Sequence, residues 1–224
     1  MTPPLIVLET ERMYFRQFRA GDANLLFELD SDPEVMRFIS KGQPTPLARI
    51  QDDILPRFLH YYRQSPPRGF WAAHLRETDG FLGWFHLRPD RLSPEETELG
   101  YRLQRSAWGR GLATEGARAL LRKAFGDWGC AKVTARTLPG NLASQRVMQK
   151  SGLTFETEFV YPQDVLPGWT VSSLALNSDA RYTTQRSAQS SPEAADARVS
   201  TGSILFRLQK WGSTFRSQSS SSMM

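Results

Sequence analysis

The run Glu98-Leu-Gly-Tyr-Arg-Leu-Gln-Arg-Ser-Ala-Trp108-Gly109-Arg110-Gly111-Leu112-Ala113-Thr114-Glu115 constrains the chain more than any other stretch. An alternating segment ends, two glycines follow one residue apart, and a helical pattern starts at once, with Ala117, Leu120, Leu121 and Ala124 on one face. Glycine lets the main chain turn tightly and approach a ligand without side-chain obstruction. The first turn of a helix leaves N–H groups without intrahelical partners and carries a partial positive charge. Strand, glycine turn and helix start in immediate succession therefore predict a receptor for phosphate or diphosphate. Two familiar phosphate loops do not fit. No Gly-Lys-Ser/Thr ending follows, as a Walker loop requires, and Thr114 stands where a dinucleotide fingerprint needs a third glycine or alanine. Without its flanks, the same Gly-x-Gly reads as a plain turn between strand and helix.

The 224 residues, 40% hydrophobic and 23% charged, suffice for a packed core in one domain with an appendage. No apolar run approaches the ~20 residues that span a bilayer, and Met1–Leu8 lacks a basic start followed by an apolar segment. A single cysteine, Cys130, excludes an intramolecular disulfide and a cysteine zinc cage. A cytoplasmic protein with no membrane partner and no metal is expected. Lys+Arg number 28 against 23 Asp+Glu, a net charge of +5 spread along the chain. That dispersal argues against nucleic acid and suits a small polyanionic ligand. Ser178–Met224 holds 12 serines and 6 Lys+Arg against 3 Asp+Glu, with one apolar cluster around Ile204–Phe206. It is expected to be a disordered, non-catalytic tail behind a domain at 1–177.

Within that domain, Met13–Phe18 alternates like a strand, and Asp22 opens a helix carrying Leu25, Leu26 and Leu29. Asp32-Pro33-Glu34 is a helix-start signature, and Thr45-Pro46 opens a longer amphipathic stretch that Pro56 should kink or split. Phe70–Leu75 and Phe81–Leu87 flank Thr78-Asp79-Gly80, a hairpin turn. Glu98–Leu103 and Val133–Arg136 read as further strands, Thr114–Phe125 and Asn141–Lys150 as helices, with Gly152 as a left-handed stop. Phe155, Phe159 and Val171–Leu176 close the sheet. The predicted fold is α/β (α+β): a mixed, mostly antiparallel sheet with helices on both faces.

Five stretches in this order carry a resemblance: Thr10–Arg16 with Asp22-Ala23, Asp32–Met36, Glu98–Tyr101, Trp108–Glu115 and Asn141–Gly152. They resemble the GNAT superfamily of acetyl-CoA-dependent N-acetyltransferases, in the branch typified by RimJ and RimL, which acetylate protein N-termini. The likeness runs from about Thr10 to Trp169. It implies acetyl-CoA as co-substrate and a primary amine as acceptor, foremost a protein N-terminal α-amine and otherwise a small molecule. It implies a monomer or homodimer. A chain that keeps the loop without the chemistry would instead be an acyl-CoA-binding module.

The resemblance also implies roles. Trp108, Gly109, Arg110, Gly111, Leu112, Ala113 and Thr114 would form the diphosphate cradle, with tryptophan replacing the family's leading polar residue. Tyr101, Arg102 and Leu103 would pair their backbone with the pantetheine arm, the backbone around Leu103 supplying the oxyanion donor. Arg105 and Arg110 would reach phosphates or stay solvated. Glu98 is the candidate base, directly or through water, the alternative being an exposed strand glutamate. Ser144 is the candidate proton donor to the thiolate, the alternative being a purely structural place in the first turn of a helix capped by Asn141. Asn141 would cap that helix and also bond the coenzyme amide. Tyr61, Tyr62 and the Asp32–Phe38 helix are candidates to line an acceptor cleft. His60, His74 and His86 are scattered and read as locally partnered residues, and Cys130 as a small apolar one.

Overall fold

The computed structural model describes residues 5–64, 68–161 and 170–178; the serine-rich stretch from residue 179 onward and the end of the likeness at Trp169 lie outside the described residues. Its strands are β1 (Ile6–Glu9), β2 (Met13–Gln17), β3 (Gly69–Leu75), β4 (Phe81–Pro89), β5 (Thr97–Leu103), β6 (Lys132–Thr137), β7 (Thr154–Val160) and β8 (Thr170–Asn177). They form one sheet in the order β1-β2-β3-β4-β5-β6-β8-β7. Only β5 and β6 run parallel; every other neighbouring pair is antiparallel. The hairpin between β3 and β4 turns where the sequence places it, with Asp79 in the left-handed region at φ 59°. Strand β1 is not announced by the sequence, because Leu5–Leu8 does not alternate and Leu5 and Ile6 stay exposed at the sheet edge.

Helices cover both faces. On one lie α1 (Ala23–Ser31), α2 (Pro33–Ser40), α3 (Leu47–Arg49) and α4 (Leu55–Tyr61). Leu26, Leu29, Ile50, Leu55 and Phe58 from this side pack on Phe18, Ala72 and Trp84. The stretch opened by Pro46 is not split at Pro56. Residues Ile50–Ile54 form a π-helical turn between α3 and α4, in which the Leu55 N–H bonds the Ile50 carbonyl. One wide turn just before the proline accommodates its missing N–H and its ring without breaking the helix.

The other face carries α5 (Leu112–Gly126) and α6 (Leu142–Lys150). Leu112, Ala117, Leu120, Leu121 and Ala124 of α5 pack with Met148 of α6 onto Phe15, Trp71, Phe85, Leu87, Leu99 and Leu103. Phe15 and Phe85 meet edge to face, ring centroids 5.1 Å apart. Gly116 lets the helix sit this close: a Cβ there would lie 2.5 Å from Phe85 Cζ and 3.1 Å from Phe15 Cζ. The start of α5 is thereby fixed low over the middle of the sheet, beside the end of β5. No described helix is long and apolar enough to cross a membrane.

Candidate active site

Strands β5 and β6 pair at only two positions, Thr97 with Val133 and Glu98 with Thr134. Beyond them β5 continues to Leu103 along β4, while β6 continues to Thr137 along β8. Each strand follows its outer neighbour, so the two diverge into a wedge in the middle of the sheet. The edge of β5 from Gly100 to Leu103 that faces this wedge has no strand partner among the described residues. Backbone groups there are available to an extended ligand that lies in as a further strand.

The phosphate-loop sequence closes the wide end of the wedge. After a 3-10 turn at Arg105–Ala107, the Trp108 indole N–H donates to the Leu103 carbonyl at 2.8 Å and ties the loop to the strand end. Trp108 is thus a strut as well as a loop residue. Gly109 and Gly111 both adopt left-handed conformations, φ 70° and 78°. Among the described residues, a Cβ on Gly109 would meet nothing within 4 Å, and one on Gly111 only Arg12 Nη2 at 3.6 Å. Gly111 is the N-cap of α5, and no side chain among the described residues caps the helix. Leu112 is fully buried and anchors the first turn from below. The cradle therefore presents main-chain N–H groups behind an open glycine lip, which fits a diphosphate.

Helix α6 flanks the wedge on the same face. Its Asn141 cap accepts the Ser144 N–H at 3.2 Å, as its place in the sequence predicts. Tyr101 on β5 donates its hydroxyl to the Ser144 carbonyl at 3.1 Å and lies 3.1 Å from Ser144 Oγ. Burial pushes the Tyr101 phenol up to about 12, so it stays protonated. Two predicted site residues are thus brought together, and the Tyr101 hydroxyl gains a place beside the candidate proton donor. Sequence reasoning saw only the Tyr101 backbone, since nothing local shows that α6 docks there.

Glu98 belongs to the opposite face, as strand alternation with Leu99 requires. It is not the exposed glutamate of the alternative reading. The residue is buried, and its Oε2 lies 2.5 Å from Arg88 Nη2. Burial pushes its carboxyl above the ordinary range, against the lowering pull of Arg88 and Arg136. Beside it, Asp90 Oδ2 lies 2.5 Å from Arg136 Nη1 and accepts the Thr134 hydroxyl at 2.7 Å. Burial would raise the Asp90 carboxyl, but these bonds and the Leu92 N–H hold it below the usual range. Glu98 and Ser144 thus stand on the two faces of the sheet, with the wedge between them.

On the Glu98 face, Arg102 pairs with Asp30 of α1, which also accepts the Thr45 hydroxyl at 2.8 Å. Its guanidinium lies over Trp84, 5.1 Å from the ring centroid. The Arg102 side chain is therefore committed to α1, leaving its backbone at the strand edge. His74 is locally partnered, taking the Arg16 Nε–H at 3.1 Å. His86 is not: both ring nitrogens are buried without a partner in the described structure. Burial, with Arg88, Arg91 and Arg102 nearby, holds its imidazole neutral. It rests over Gly100, where a Cβ would lie 2.4 Å from its Cε1. Tyr62 is a structural tie, its hydroxyl accepting the Phe18 N–H at 2.8 Å and donating to the Phe70 carbonyl. Beyond Leu103 a cleft of about 260 Å³ opens between α1 and the strand end, lined by Glu28, Asp32, Val35, Gln104, Arg105 and Ser106. Arg105 Nε lies 3.9 Å from Asp32 Oδ2 at this mouth.

Residues 12–154 match the acetyltransferase (GNAT) domain family. The chain is 34% identical over 168 residues to the FsC-acetyl coenzyme A-N(2)-transacetylase of Aspergillus fumigatus, covering 71% of this chain and 70% of that protein. Among solved structures it resembles an acetyltransferase (GNAT family) from Bacillus anthracis, with a TM-score of 0.64 at 21% identity over 77% of this chain and 98% of that one. It also resembles the aminoglycoside acetyltransferase AAC(6')-Ib in complex with coenzyme A, with a TM-score of 0.63 at 20% identity over 77% and 99% of the two chains.

Proposed function

The chain belongs to the GNAT acetyltransferase family, and on that premise we propose that it transfers the acetyl group of acetyl-CoA to the primary amine of a small molecule. The observation that carries the reading is the wedge: a β5 edge without a strand partner, leading to a helix start without a side-chain cap, both among the described residues, behind two left-handed glycines. A strand edge suits the amide-bearing pantetheine arm and the helix start its diphosphate. The transacetylase relative, whose name specifies an N(2) acceptor, supports a small-molecule amine. A protein N-terminal α-amine is the second reading, favoured by the ordered RimJ/RimL-like stretches from Thr10 to Gly152.

Acetyl-CoA supplies an activated acyl group as a thioester. The amine nitrogen forms a bond to the acyl carbon, the C–S bond breaks, one amine proton is lost and the thiolate gains one. In this reading Gly109, Arg110, Gly111, Leu112, Ala113 and Thr114 hold the diphosphate through main-chain N–H groups, with Trp108 bracing them. The backbone of Tyr101, Arg102 and Leu103 orients the arm, and an N–H near Leu103 faces the developing negative charge. Asn141 bonds the coenzyme amide beside its capping role. Glu98 takes the amine proton through water, since Arg88 occupies one of its oxygens; burial raises its carboxyl and makes it a stronger base than an ordinary glutamate. Ser144, backed by the Tyr101 hydroxyl, returns a proton to the thiolate. Glu28 and Asp32 at the mouth draw in a cationic acceptor.

The test is incubation with acetyl-CoA and a panel of polyamines, amino-sugar antibiotics and peptides with free N-termini, following free thiol and acetylated product by mass spectrometry. Thiol release with small amines is the expected result. Release with peptides alone selects the second reading, and coenzyme binding without acceptor-dependent thiol makes the chain a non-catalytic acyl-CoA-binding module.

A further inference from the structure

The helix start that is to hold a diphosphate carries an acid in its first turn, Glu115. A carboxylate there stabilises the bare helix, yet it opposes any anion bound at the same helix end. The structure answers this with one residue 103 positions earlier in the chain. Arg12, in the turn between β1 and β2, donates its backbone N–H to Glu115 Oε1 at 3.0 Å and its Nε–H to Oε2 at 2.7 Å, and its Nη2 lies 2.6 Å from Oε2. Its remaining arm, Nη1, donates to the Arg110 carbonyl at 2.9 Å. The turn that carries it is itself pinned, because the Arg76 N–H bonds the Arg12 carbonyl at 2.9 Å and Arg76 Nη1 bonds the Thr10 carbonyl at 3.0 Å.

We propose that Arg12 is a positioning residue for the acyl donor: it neutralises Glu115 and orients the Arg110–Gly111 peptide so that the loop accepts a diphosphate. The second effect follows from peptide planarity. In a trans peptide the C=O and N–H point in opposite directions, so an Arg110 carbonyl held by Arg12 turns the Gly111 N–H away from Arg12. A guanidinium suits both tasks because its donors lie in one rigid plane and reach carboxylate and carbonyl together. Glu115 is matched to this partner. Burial would raise its carboxyl, but Thr10 and the main-chain and side-chain bonds from Arg12 hold it below the ordinary range, ionised and paired.

The inference rests on the diphosphate reading of the loop, and the experiment separates the two. Coenzyme A is titrated calorimetrically into the full-length protein and its R12Q, R12K, E115Q, R12Q/E115Q and G111V variants at low and high salt, with melting temperatures recorded for each. R12Q is expected to weaken coenzyme A roughly tenfold at low salt, because an unpaired Glu115 charge faces the diphosphate. R12Q/E115Q should recover part of that loss, and R12K, which keeps the charge without the fork, should fall between wild type and R12Q. High salt should narrow the gap between R12Q and wild type, a change that a purely structural role would not produce. If G111V loses coenzyme A while folded R12Q binds within twofold of wild type, or if the R12Q loss is indifferent to both salt and E115Q, the proposal falls and the loop reading stands. If G111V also binds like wild type, both fall.

Discussion

Replacing Gly111 by alanine separates the conformational role of this glycine from its role toward a ligand. At φ 78° an alanine is strained by about 1–2 kcal/mol relative to glycine. Steric crowding adds little, since among the described residues the one atom near the new Cβ is Arg12 Nη2 at 3.6 Å, ordinary contact distance. For a domain of this size that strain corresponds to a melting temperature about 2–8 °C lower. The effect on coenzyme A should be larger. The new methyl stands on the lip that the diphosphate must cross, and relief of the strain re-aims the first free N–H groups of α5. Loss of one charge-assisted bond costs about 1.5–3 kcal/mol, which is about 10- to 150-fold in affinity. Differential scanning fluorimetry and calorimetric titration of the same preparation read the two effects. A G111A protein that melts lower but binds coenzyme A within twofold of wild type would refute the placement of the diphosphate on this loop.

The remaining expectations concern packing, catalysis and pH. Gly116→Ala raises helix propensity but forces a Cβ within 2.5 Å of Phe85 Cζ; a net destabilisation of about 1–3 kcal/mol in chemical denaturation is expected, and a neutral or stabilised variant would contradict the close helix–sheet approach. Glu98→Gln should lower kcat at neutral pH by about 100-fold or more and remove the acidic limb of the pH–rate profile, which in the wild type falls as pH drops through the raised Glu98 value; unchanged turnover would end its assignment as base. Tyr101→Phe removes the donor to Ser144 and should cost about 1 kcal/mol of stability, with the larger deficit in kcat if the hydroxyl pair serves the thiolate. Glu115 is held below its unfolded value, so its stabilising contribution is present above about pH 4.5 and is lost as pH falls through the folded value. Acid titration of wild type and R12Q should therefore converge at low pH; parallel curves throughout would deny the linkage.

What could be read from the sequence is what is decided within a few residues. Asp32 caps its helix by accepting the Glu34 N–H at 2.9 Å, Asn141 does the same for α6, and Gly152 stops it at φ 99°. Each follows from short-range chemistry that Asp-Pro-Glu, an Asn at a helix start, or a Gly at a helix end states outright. The loop at Trp108–Glu115 is legible for the same reason. The contacts that complete the site join distant segments. Arg12 and Glu115 meet across 103 residues, and Tyr101 reaches Ser144 across 43. Glu98 read as either a base or an exposed side chain, because its burial depends on Arg88 arriving from the neighbouring strand. His86 reads from the sequence as locally partnered and is not, because an absent partner is a property of packing. The π turn before Pro56 was hidden too, since proline signals that the regular bond is lost but not how the helix reroutes around it.

The sheet is joined across its middle by two residue pairs alone, Thr97 with Val133 and Glu98 with Thr134, so its halves meet at something close to a pivot. From Glu98 to Leu103 the strand reaches about 16 Å at ~3.3 Å per residue. Rotation by roughly 4° at the pivot therefore shifts the far tip by about 1 Å, a misplacement that can cost on the order of 100-fold in rate. Arg88, Asp90, Thr134 and Arg136 sit at the fulcrum of this lever, and substitutions there gain leverage over the far tip as well as over Glu98 beside them.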